Sequence, residues 1–408
     1  MAMDEYRFSK PGSRGEMEGV YELMRAVFRG EAVDLLIQRL LDHYSEMSLD
    51  HVFALERGGE TVAALVLIPQ TWEVDGLPLR VAEMGCVATH PDHRGRGLQR
   101  MLNARFDAYA RGNGFDLCAL AGIPYFYRQF GYEYAVDLDH STSIDADKVP
   151  DQLLSLEARP FSEPDIDAAA RMLDEAQSRY HVRCPRARDV WLMQHRTGHY
   201  NGDPFDSVAL TEGGEVKAYL RYGVKQGDGA FVLKEAGMGS PEYAEQVLSY
   251  VKGACRERGL GKVVSRQFYG DEPTRTLINL GGESVRPYAW QVKALDTARL
   301  LGKMAPLLES RLRGAGYGNL TSRLNLNFRR FNVRVTLEHG RVASVEKDGE
   351  TGDRKIGLNP YVFPQLLLGH RSLGELMDAH PDVRVMESHR AIVEALFPRK
   401  PGYVFHVY

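Results

Sequence analysis

The chain has little cysteine, and its cysteines are scattered. Four occur in 408 residues, Cys86, Cys118, Cys184 and Cys255, and no two of them have the C-x-x-C spacing. Such a distribution predicts neither a disulfide framework nor a zinc site, and we expect no metal. Cys86 and Cys118 fall inside apolar strand patterns, which favours small buried side chains over a catalytic thiol.

Long apolar runs are also missing. The opening residues MAMDEYRFSKPGSRGE are polar and contain no apolar core of a secretory signal. No apolar run reaches the roughly 18 residues of a membrane span. We therefore expect a cytoplasmic protein without a membrane partner.

An excess of charge of one sign is absent as well. The chain has 51 basic and 55 acidic residues, a formal net charge of −4. This balance does not steer the molecule toward nucleic acid, and we expect no nucleic-acid partner. Hydrophobic residues make up 44% and charged residues 26%, which is typical of a globular protein. The length suggests roughly two or three domains.

The most informative stretch is VAEMGCVATHPDHRGRGLQRML, residues 81–102. An apolar strand leads into a loop of glycines and arginines, and apolar periodicity predicts a helix after the loop. The first turn of a helix has unpaired N–H groups and partial positive charge, which favour an anion. We predict a pyrophosphate site, with an ordinary turn as the alternative. The residues assigned to this site are Arg94, Gly95, Arg96, Gly97 and Leu98.

Two other phosphate-binding loops do not fit this stretch. The Rossmann pattern G-x-G-x-x-G requires a third glycine where this chain has Arg100. A P-loop requires Gly-Lys-Ser or Gly-Lys-Thr, which the stretch lacks.

The residues around the loop predict a mixed α/β domain over residues 1–145. Apolar periodicity indicates two helices between residues 16 and 43, broken near Arg29 and Gly30. A hairpin follows with its turn at Gly58 and Gly59, then a separate strand at 71–74. After the helix over 98–111, FDLCALA reads as another buried strand.

A second domain over residues 146–294 repeats the order of the first. The turn Gly213-Gly214-Glu215 matches Gly58-Gly59-Glu60 at an offset of 155 residues, and the flanking strands correspond. A chance match of two hairpins is the alternative. Where the arginines of the first loop should recur, the second half has Gly-Met-Gly-Ser-Pro. We infer a duplicated fold without a phosphate loop.

The composition changes in a third domain over residues 295–408. Residues 296–312 predict one helix, FNVRVTLEHGRVASVEKD predicts a hairpin, and 388–397 predicts a closing helix. Neither metal spacing nor a phosphate loop occurs there. We favour a structural and oligomerising role over lipid binding.

The spacing V-A-T-H-P-D-H-R-G-R-G-L resembles the acetyl-CoA loop of the GNAT acetyltransferases, with Asp92 where that family prefers Arg or Gln. The whole organisation is similar to the Eis (enhanced intracellular survival) family. The block FYRQFGY at 126–132 and the closing region from GLNPYVFPQLLLGHRSLGEL to ALFP carry this resemblance. It implies an α/β (α+β) fold class, with tandem GNAT folds followed by a sterol-carrier-protein-like α+β domain. It also implies a homohexamer that acetylates amines, aminoglycosides included, from acetyl-CoA.

The resemblance assigns roles to single residues on the cofactor side. The strand ending Cys86-Val87-Ala88 is expected to splay from its neighbour and to offer backbone groups to the pantetheine and the thioester carbonyl. Tyr127 matches the family's tyrosine, which protonates the departing thiolate. An unperturbed phenol has a pKa of about 10, which suits that role.

The general base has two candidates. The family uses the C-terminal carboxylate, which Tyr408 carries here, and many GNAT enzymes have a glutamate where this chain has Glu83. His90 and His93 are expected to be turn residues or donors to phosphate. Acidic residues of the opening helices would suit a polyamine acceptor, although solvated surface positions are their more common role. These residues are Glu31, Asp34 and Glu46.

Other functions remain open from the sequence. One is acetylation of protein or peptide lysines, and another is a non-catalytic acyl-CoA sensor. A complete phosphate loop together with Tyr127 favours an enzyme, because a sensor needs no proton donor.

Overall fold

A computed structural model describes residues 5–138, 140–151, 153–200, 202–268, 270–285, 288–348 and 355–404. The strands are β1 (Arg7–Ser9), β2 (Val52–Arg57), β3 (Glu60–Val74), β4 (Leu77–Thr89), β5 (Leu117–Leu120), β6 (Glu133–Asp137), β7 (Ser141–Asp145), β8 (Glu157–Pro160), β9 (Val182–Arg183), β10 (His199–Tyr200), β11 (Asp203–Pro204), β12 (Asp206–Glu212), β13 (Glu215–Lys225), β14 (Ala230–Met238), β15 (Lys262–Ser265), β16 (Glu283–Val285), β17 (Ala289–Ala294), β18 (Ser322–Asn327), β19 (Asn332–Glu338), β20 (Arg341–Asp348), β21 (Ile356–Gly357) and β22 (Arg384–Val385). The helices are α1 (Glu18–Val27), α2 (Val33–His43), α3 (Leu98–Gly112), α4 (Ile166–Gln177), α5 (Arg188–Thr197), α6 (Ala244–Arg258), α7 (Glu272–Asn279), α8 (Thr297–Lys303), α9 (Ala305–Gly314), α10 (Phe363–Leu367), α11 (Leu373–Ala379) and α12 (Glu387–Leu396).

The first sheet has the strand order β1-β2-β3-β4-β5-β17-β6, and the short β9 pairs with β3. Its ladders are antiparallel except for the parallel pair of β4 and β5. One face packs on α3 through a core that includes Leu98, Leu102 and Phe106. The predicted mixed α/β class is confirmed, and α3 begins at Leu98 as the periodicity indicates.

Strand β3 is longer than predicted, because Pro69 does not break it. Pro69 lies opposite Ala82 of β4, and its carbonyl accepts a 2.6 Å hydrogen bond from the Tyr44 hydroxyl. The Pro69 carbonyl therefore points away from β4, to the side on which the pairing of β3 with β2 stops at Val66. A proline tolerates that position because it needs no ladder donor there.

The second sheet has the order β16-β7-β15-β14-β13-β12-β8. The two sheets exchange strands. β7 follows β6 in the chain but pairs with β15 and β16, whereas β17 follows β16 but lies between β5 and β6. The predicted boundaries at residues 145 and 294 therefore fall at the ends of the two exchanged strands.

The third sheet has the order β20-β19-β18-β21-β22. The helix predicted over 296–312 is two helices, α8 and α9, that meet at Met304. Pro306 stands in the first turn of α9, where proline has no intrahelical donor to lose. One apolar core joins this region to the face of the first sheet opposite α3. It includes Trp72, Trp290 and Leu301.

The segment near the end of the described chain lies between the sheets. Tyr403 forms a parallel bridge with Asp137 of β6, and Gly402 forms one with Val182. The Trp290 indole donates to the Val404 carbonyl at 3.2 Å. Residues 402–404 thus pack against the edge of the first sheet.

The exchange of β17 predicts a specific pattern of destabilisation. Trp290→Ala should lower the free energy of unfolding by about 3–5 kcal/mol, because it removes a fully buried indole. Peptide-resolved hydrogen exchange should then rise in β5 and β6, the partners of β17. Leu153→Ala, at a position 86% exposed, is the control and should leave exchange unchanged. A rise in β15 and β7 instead would contradict this strand pairing.

Candidate active site

Strand β4 contains a bulge at Cys86 and Val87. Ala64 of β3 pairs with Ala88 and Val66 with Gly85, so one residue of β3 faces two of β4. Cys86 adopts φ 49°, a conformation that is unusual for a residue with a side chain. A bulge of this kind turns the backbone groups of the following residue.

Strands β4 and β5 separate just before the bulge. Their parallel pairing runs from Val81 and Leu117 to Glu83 and Ala119, after which β4 continues to Thr89. The backbone of β4 beyond Glu83 therefore has no strand partner on the β5 side within the described chain. The splay predicted at residues 86–88 is present in this geometry.

The loop after β4 leads directly into the start of α3. A short 3₁₀ turn, Pro91–His93, is followed by Gly95 with φ 72° and Gly97 with φ 77°. Gly97 is the N-cap residue and provides no side-chain cap, so the first N–H groups of α3 keep their donor capacity. A Cβ at either glycine would meet no atom within 4 Å, which leaves open space above the backbone.

The two loop arginines are exposed and contact their own loop. Arg94 Nε donates to the Thr89 carbonyl and Arg96 Nη2 to the Asp92 carbonyl, both at 3.3 Å. Neither forms an ion pair with a residue that the structure describes. Their charges are thus available to an anion at the start of α3.

The two loop histidines have local partners. His90 accepts from the backbone N–H of Asp92, and His93 Nδ1 lies 3.1 Å from the Tyr6 hydroxyl. Both side chains thus make contacts typical of turn residues.

Two polar residues of α3 were not singled out from the sequence. Gln99 Nε2 donates to the Ala88 carbonyl at 3.0 Å and to Thr89 Oγ1 at 2.9 Å, which ties the helix to β4. The amide oxygens of Gln99 and Asn103 are buried without a hydrogen-bond partner in the described chain. Buried acceptors of this kind fit a ligand that brings N–H donors. Their spacing of four residues on the apolar face of α3 was the available signal.

Tyr127 lies in the 3₁₀ helix Phe126–Phe130, after the end of β5. It is 7% exposed and packs in the same core as Leu98 and Met84. Burial raises the pKa of the Tyr127 phenol to about 12. Its hydroxyl forms no hydrogen bond with a described residue, so it is free to donate to a ligand.

Glu83 is buried on the opposite face of the first sheet. Gln70 Nε2 donates to its carboxylate, and the Trp72 indole donates to Gln70 Oε1 at 2.7 Å. The Trp72 ring lies 5.6 Å from that of Trp290, which contacts Val404. The other candidate base, Tyr408, lies outside the described residues.

The acidic residues of the opening helices differ in exposure. Asp34 is buried and pairs with Arg25 at 2.9 Å, whereas Glu31 and Glu46 are exposed. The Asp34 carboxylate is thus engaged in an ion pair.

The described part of the second sheet offers a different surface at the equivalent place. β14 ends at Met238 and α6 begins at Ala244, with no arginine in the connection. Beside β14, Arg186 and Glu235 form a buried ion pair at 2.6 Å. The glycine and arginine loop that precedes α3 is not repeated there.

No group of three or more metal-ligating side chains occurs among residues that the structure describes. Within the same residues, every helix is too short or too polar to cross a bilayer.

Residues 9–135 match the acetyltransferase (GNAT) domain family. Over 99 residues the chain is 32% identical to an amino-acid acetyltransferase of Serratia proteamaculans, covering 24% of this chain and 20% of that protein. The chain thus spans about a fifth of the length of the curated relatives it matches.

Solved structures resemble nearly the whole chain. A GCN5-related N-acetyltransferase from Anabaena variabilis has a TM-score of 0.73 and 14% identity, covering 98% of this chain and 99% of its own. Eis1 from Mycobacterium abscessus has a TM-score of 0.64 and 14% identity, covering 97% and 99%. At these identities the likeness shows the fold alone.

The loop geometry predicts a difference between two glycines of α3. Gly97→Ala should lower the free energy of unfolding by about 1–2 kcal/mol, because alanine is strained at positive φ. Gly112→Ala is the matched control, since Gly112 ends the same helix without positive φ and with open space around it. It should be neutral or stabilising. Equal effects in chemical denaturation would contradict the left-handed geometry at Gly97.

The bulged β4, its separation from β5 and the uncapped start of α3 all lie within the matched family region. Residues 9–135 match the GNAT acetyltransferase domain family in sequence, and the solved structures show the same fold.

Proposed function

We propose that this chain is an N-acetyltransferase that transfers the acetyl group of acetyl-CoA to an amine. One observation carries the proposal: β4 runs on from Glu83 to Thr89 without pairing to β5 and leads into the loop whose free amides begin α3. This arrangement offers a slot for an extended chain and an anion site at its end. A thioester joined through pantetheine to a diphosphate has that shape and charge.

The anionic end of the cosubstrate is assigned to the loop. The amides from Gly95 to Leu98 and the guanidinium groups of Arg94 and Arg96 supply donors and positive charge for the diphosphate. Asp92 stands where the family prefers arginine or glutamine, so one side-chain donor to the diphosphate is missing. The backbone donors of the loop do not depend on that side chain.

The pantetheine arm is assigned to the slot beside β4. Backbone groups at the Cys86–Val87 bulge are not paired with β5, so they can bind the amides of an extended ligand. The buried oxygens of Gln99 and Asn103 are further acceptors. The thioester carbonyl is polarised by backbone N–H at Val87, in the manner of an oxyanion hole.

Transfer proceeds by direct attack of the amine on the thioester carbon. The new C–N bond forms as the C–S bond breaks, a base takes one proton from the nitrogen, and Tyr127 gives its phenol proton to the sulfur. A phenol pKa of about 12 keeps Tyr127 protonated at neutral pH.

A covalent acyl-enzyme is disfavoured. Burial, with a smaller effect of the Glu83 carboxylate, raises the pKa of the Cys86 thiol to about 12. Because the thiolate is the nucleophilic form, Cys86 is a poor nucleophile near pH 7.

The base is assigned to Glu83 or to Tyr408. Glu83 is buried close to the bulge. The Eis resemblance assigns the base to the C-terminal carboxylate of Tyr408. The contacts of residues 402–404 with the first sheet are compatible with that assignment.

The acceptor is an amine. An aminoglycoside follows from the Eis resemblance, and a lysine side chain of a protein or peptide is the alternative. The sterol-carrier-like third domain, the homohexamer and the cytoplasmic location remain predictions from sequence. The reading as an acyl-CoA sensor is disfavoured by a buried phenol beside the slot, which a sensor does not use.

The function is tested by thiol release from acetyl-CoA with a panel of amines. Tyr127→Phe should lower kcat by about 10²–10⁴-fold, because the proton donor is lost. Affinity for acetyl-CoA should persist in the variant. Phe126→Leu in the same turn is the control and should keep most activity. A wild-type rate for Tyr127→Phe would remove Tyr127 from the mechanism. A rate of thiol release that no amine of the panel increases would contradict N-acetylation.

The base is tested by comparing Glu83→Gln with a chain that lacks residues 405–408. One of the two should lose about 10²-fold or more in kcat, because general-base catalysis contributes on that scale. The other should retain activity with an unchanged KM for acetyl-CoA. Full activity in both variants would contradict both assignments and leave water as the proton acceptor.

A further inference from the structure

A large cleft lies next to the turn that contains Tyr127. Its volume is about 960 Å³, and it is formed by the first sheet on one side and by residues 369–371 and 399–402 on the other. Tyr125 and Arg128, which flank Tyr127 in the sequence, are part of its wall.

The cleft and the Tyr127 ring meet at Gly122. The hydroxyl of Tyr288, another wall residue, donates to the Gly122 carbonyl, and Gln291 donates to the same oxygen at 2.9 Å. A Cβ at Gly122 would lie 2.4 Å from Cε2 of Tyr127, so the phenol packs directly on this glycine. Gly122 thus lies between the Tyr127 ring and the cleft residue Tyr288.

Positively charged side chains dominate the cleft. Arg128, Arg371, Arg399 and Lys400 line it, whereas Asp137 is its one carboxylate among the described lining residues. Arg128 is neutralised by Glu133 at 2.9 Å.

The other cations share their carboxylates. Arg371 and Arg399 both pair with Glu375, at 3.6 and 3.2 Å. Lys400 shares Asp75 with Arg311, at 2.9 and 3.1 Å. Arg311 does not line the cleft, and Asp137 offsets one positive charge of its wall. The unbalanced positive charge is therefore local to Arg371 and Arg399, which share the single carboxylate of Glu375.

His370 also lines the cleft, and its Nδ1 lies 3.5 Å from Asp137 Oδ1. Burial first, and then the charges of Arg371 and Arg399, lower the pKa of His370 to about 4. His370 is therefore neutral near pH 7 and adds no positive charge to the cleft.

We propose that this cleft binds the acceptor and that the acceptor amine carries an anionic oxygen group, a carboxylate or a phosphate, held by Arg371 and Arg399. The inference rests on the proposed N-acetyltransferase function and names its substrate class. Guanidinium groups bind both kinds of anion through paired hydrogen bonds. The phenol rings of Tyr125, Tyr134 and Tyr288 provide contact area for the carbon skeleton. A polycation such as an aminoglycoside is disfavoured by this charge.

Matched acceptors test the charge requirement. L-Lysine and cadaverine differ by one carboxylate, and O-phosphoethanolamine and ethanolamine differ by one phosphate. We expect kcat/KM to be at least about tenfold higher for the anionic member of one pair, the effect of a single charge-assisted hydrogen bond. The pair that responds identifies the anion. Equal values within both pairs, or a preference for cadaverine or an aminoglycoside, would overturn the proposal.

Variants of the cleft test the residues. Arg371→Gln and Arg399→Gln should each raise KM for the anionic acceptor by about tenfold, with kcat and KM for acetyl-CoA unchanged. Arg390→Gln is the matched control, because Arg390 pairs with Glu394 at 3.0 Å on α12 and does not line the cleft. A rise in KM for acetyl-CoA in the cleft variants would place the cosubstrate in the cleft and overturn the assignment.

Binding separates this proposal from the function on which it rests. If no amine is acetylated, the N-acetyltransferase function fails, and calorimetry with L-lysine, cadaverine, O-phosphoethanolamine and ethanolamine decides the cleft separately. Binding of one anionic probe that is weakened by Arg399→Gln and not by Arg390→Gln would support an anion site. Absence of binding by both anionic probes would overturn it.

Discussion

The divergence of β4 from β5 is the constraint on which the rest of the site depends. Their parallel ladder ends at Glu83 and Ala119, β5 ends one residue later, and β4 continues through the bulge at Cys86 and Val87 to Thr89. The unpaired part of β4 thus borders a slot in the sheet. Because α3 begins at the end of the same strand, the slot and the helix N-terminus are built by one continuous stretch of chain.

The surrounding architecture holds this opening in place. β17 follows β16, an edge strand of the second sheet, and fills the position between β5 and β6 of the first sheet. Its Trp290 packs against Trp72 and contacts Val404, which links the first sheet to the region after residue 295. The complete first sheet therefore requires residues 289–294 as well as the segment that contains the slot.

Local features could be read from the sequence, and features built by distant residues could not. The start of α3, the two Gly-Gly hairpins and the break between α1 and α2 follow from periodicity and turn chemistry. The strand predicted separately at 71–74 is part of β3, because the pairing of Pro69 with Ala82 of β4 lets the strand continue through the proline. The single helix predicted over 296–312 overlooked Pro306. The strand exchange leaves no local signal, since β7 and β17 are ordinary strands whose partners lie elsewhere in the chain.

The residues of the candidate site show the same difference between local and distant features. Residues 94–98 form one continuous motif, so the sequence predicts them together. The cleft joins Arg128 to Arg371 and Arg399 across more than half of the sequence, and no spacing rule connects them. Of the acidic residues considered from the sequence for an amine acceptor, Asp34 pairs with Arg25, and none of the three lines the cleft that contains Arg371 and Arg399. The charge at an acceptor site depends on which residues the fold brings together, so a nearly neutral composition does not reveal it.

The most direct measurement of the central claim is a crystal structure of the chain with coenzyme A. The account predicts the diphosphate against the backbone amides of residues 95–98 and the pantetheine between β4 and β5, beside Gln99 and Asn103. A nucleotide lodged along β14 of the second sheet, or a diphosphate in the basic cleft with the loop before α3 empty, would contradict it.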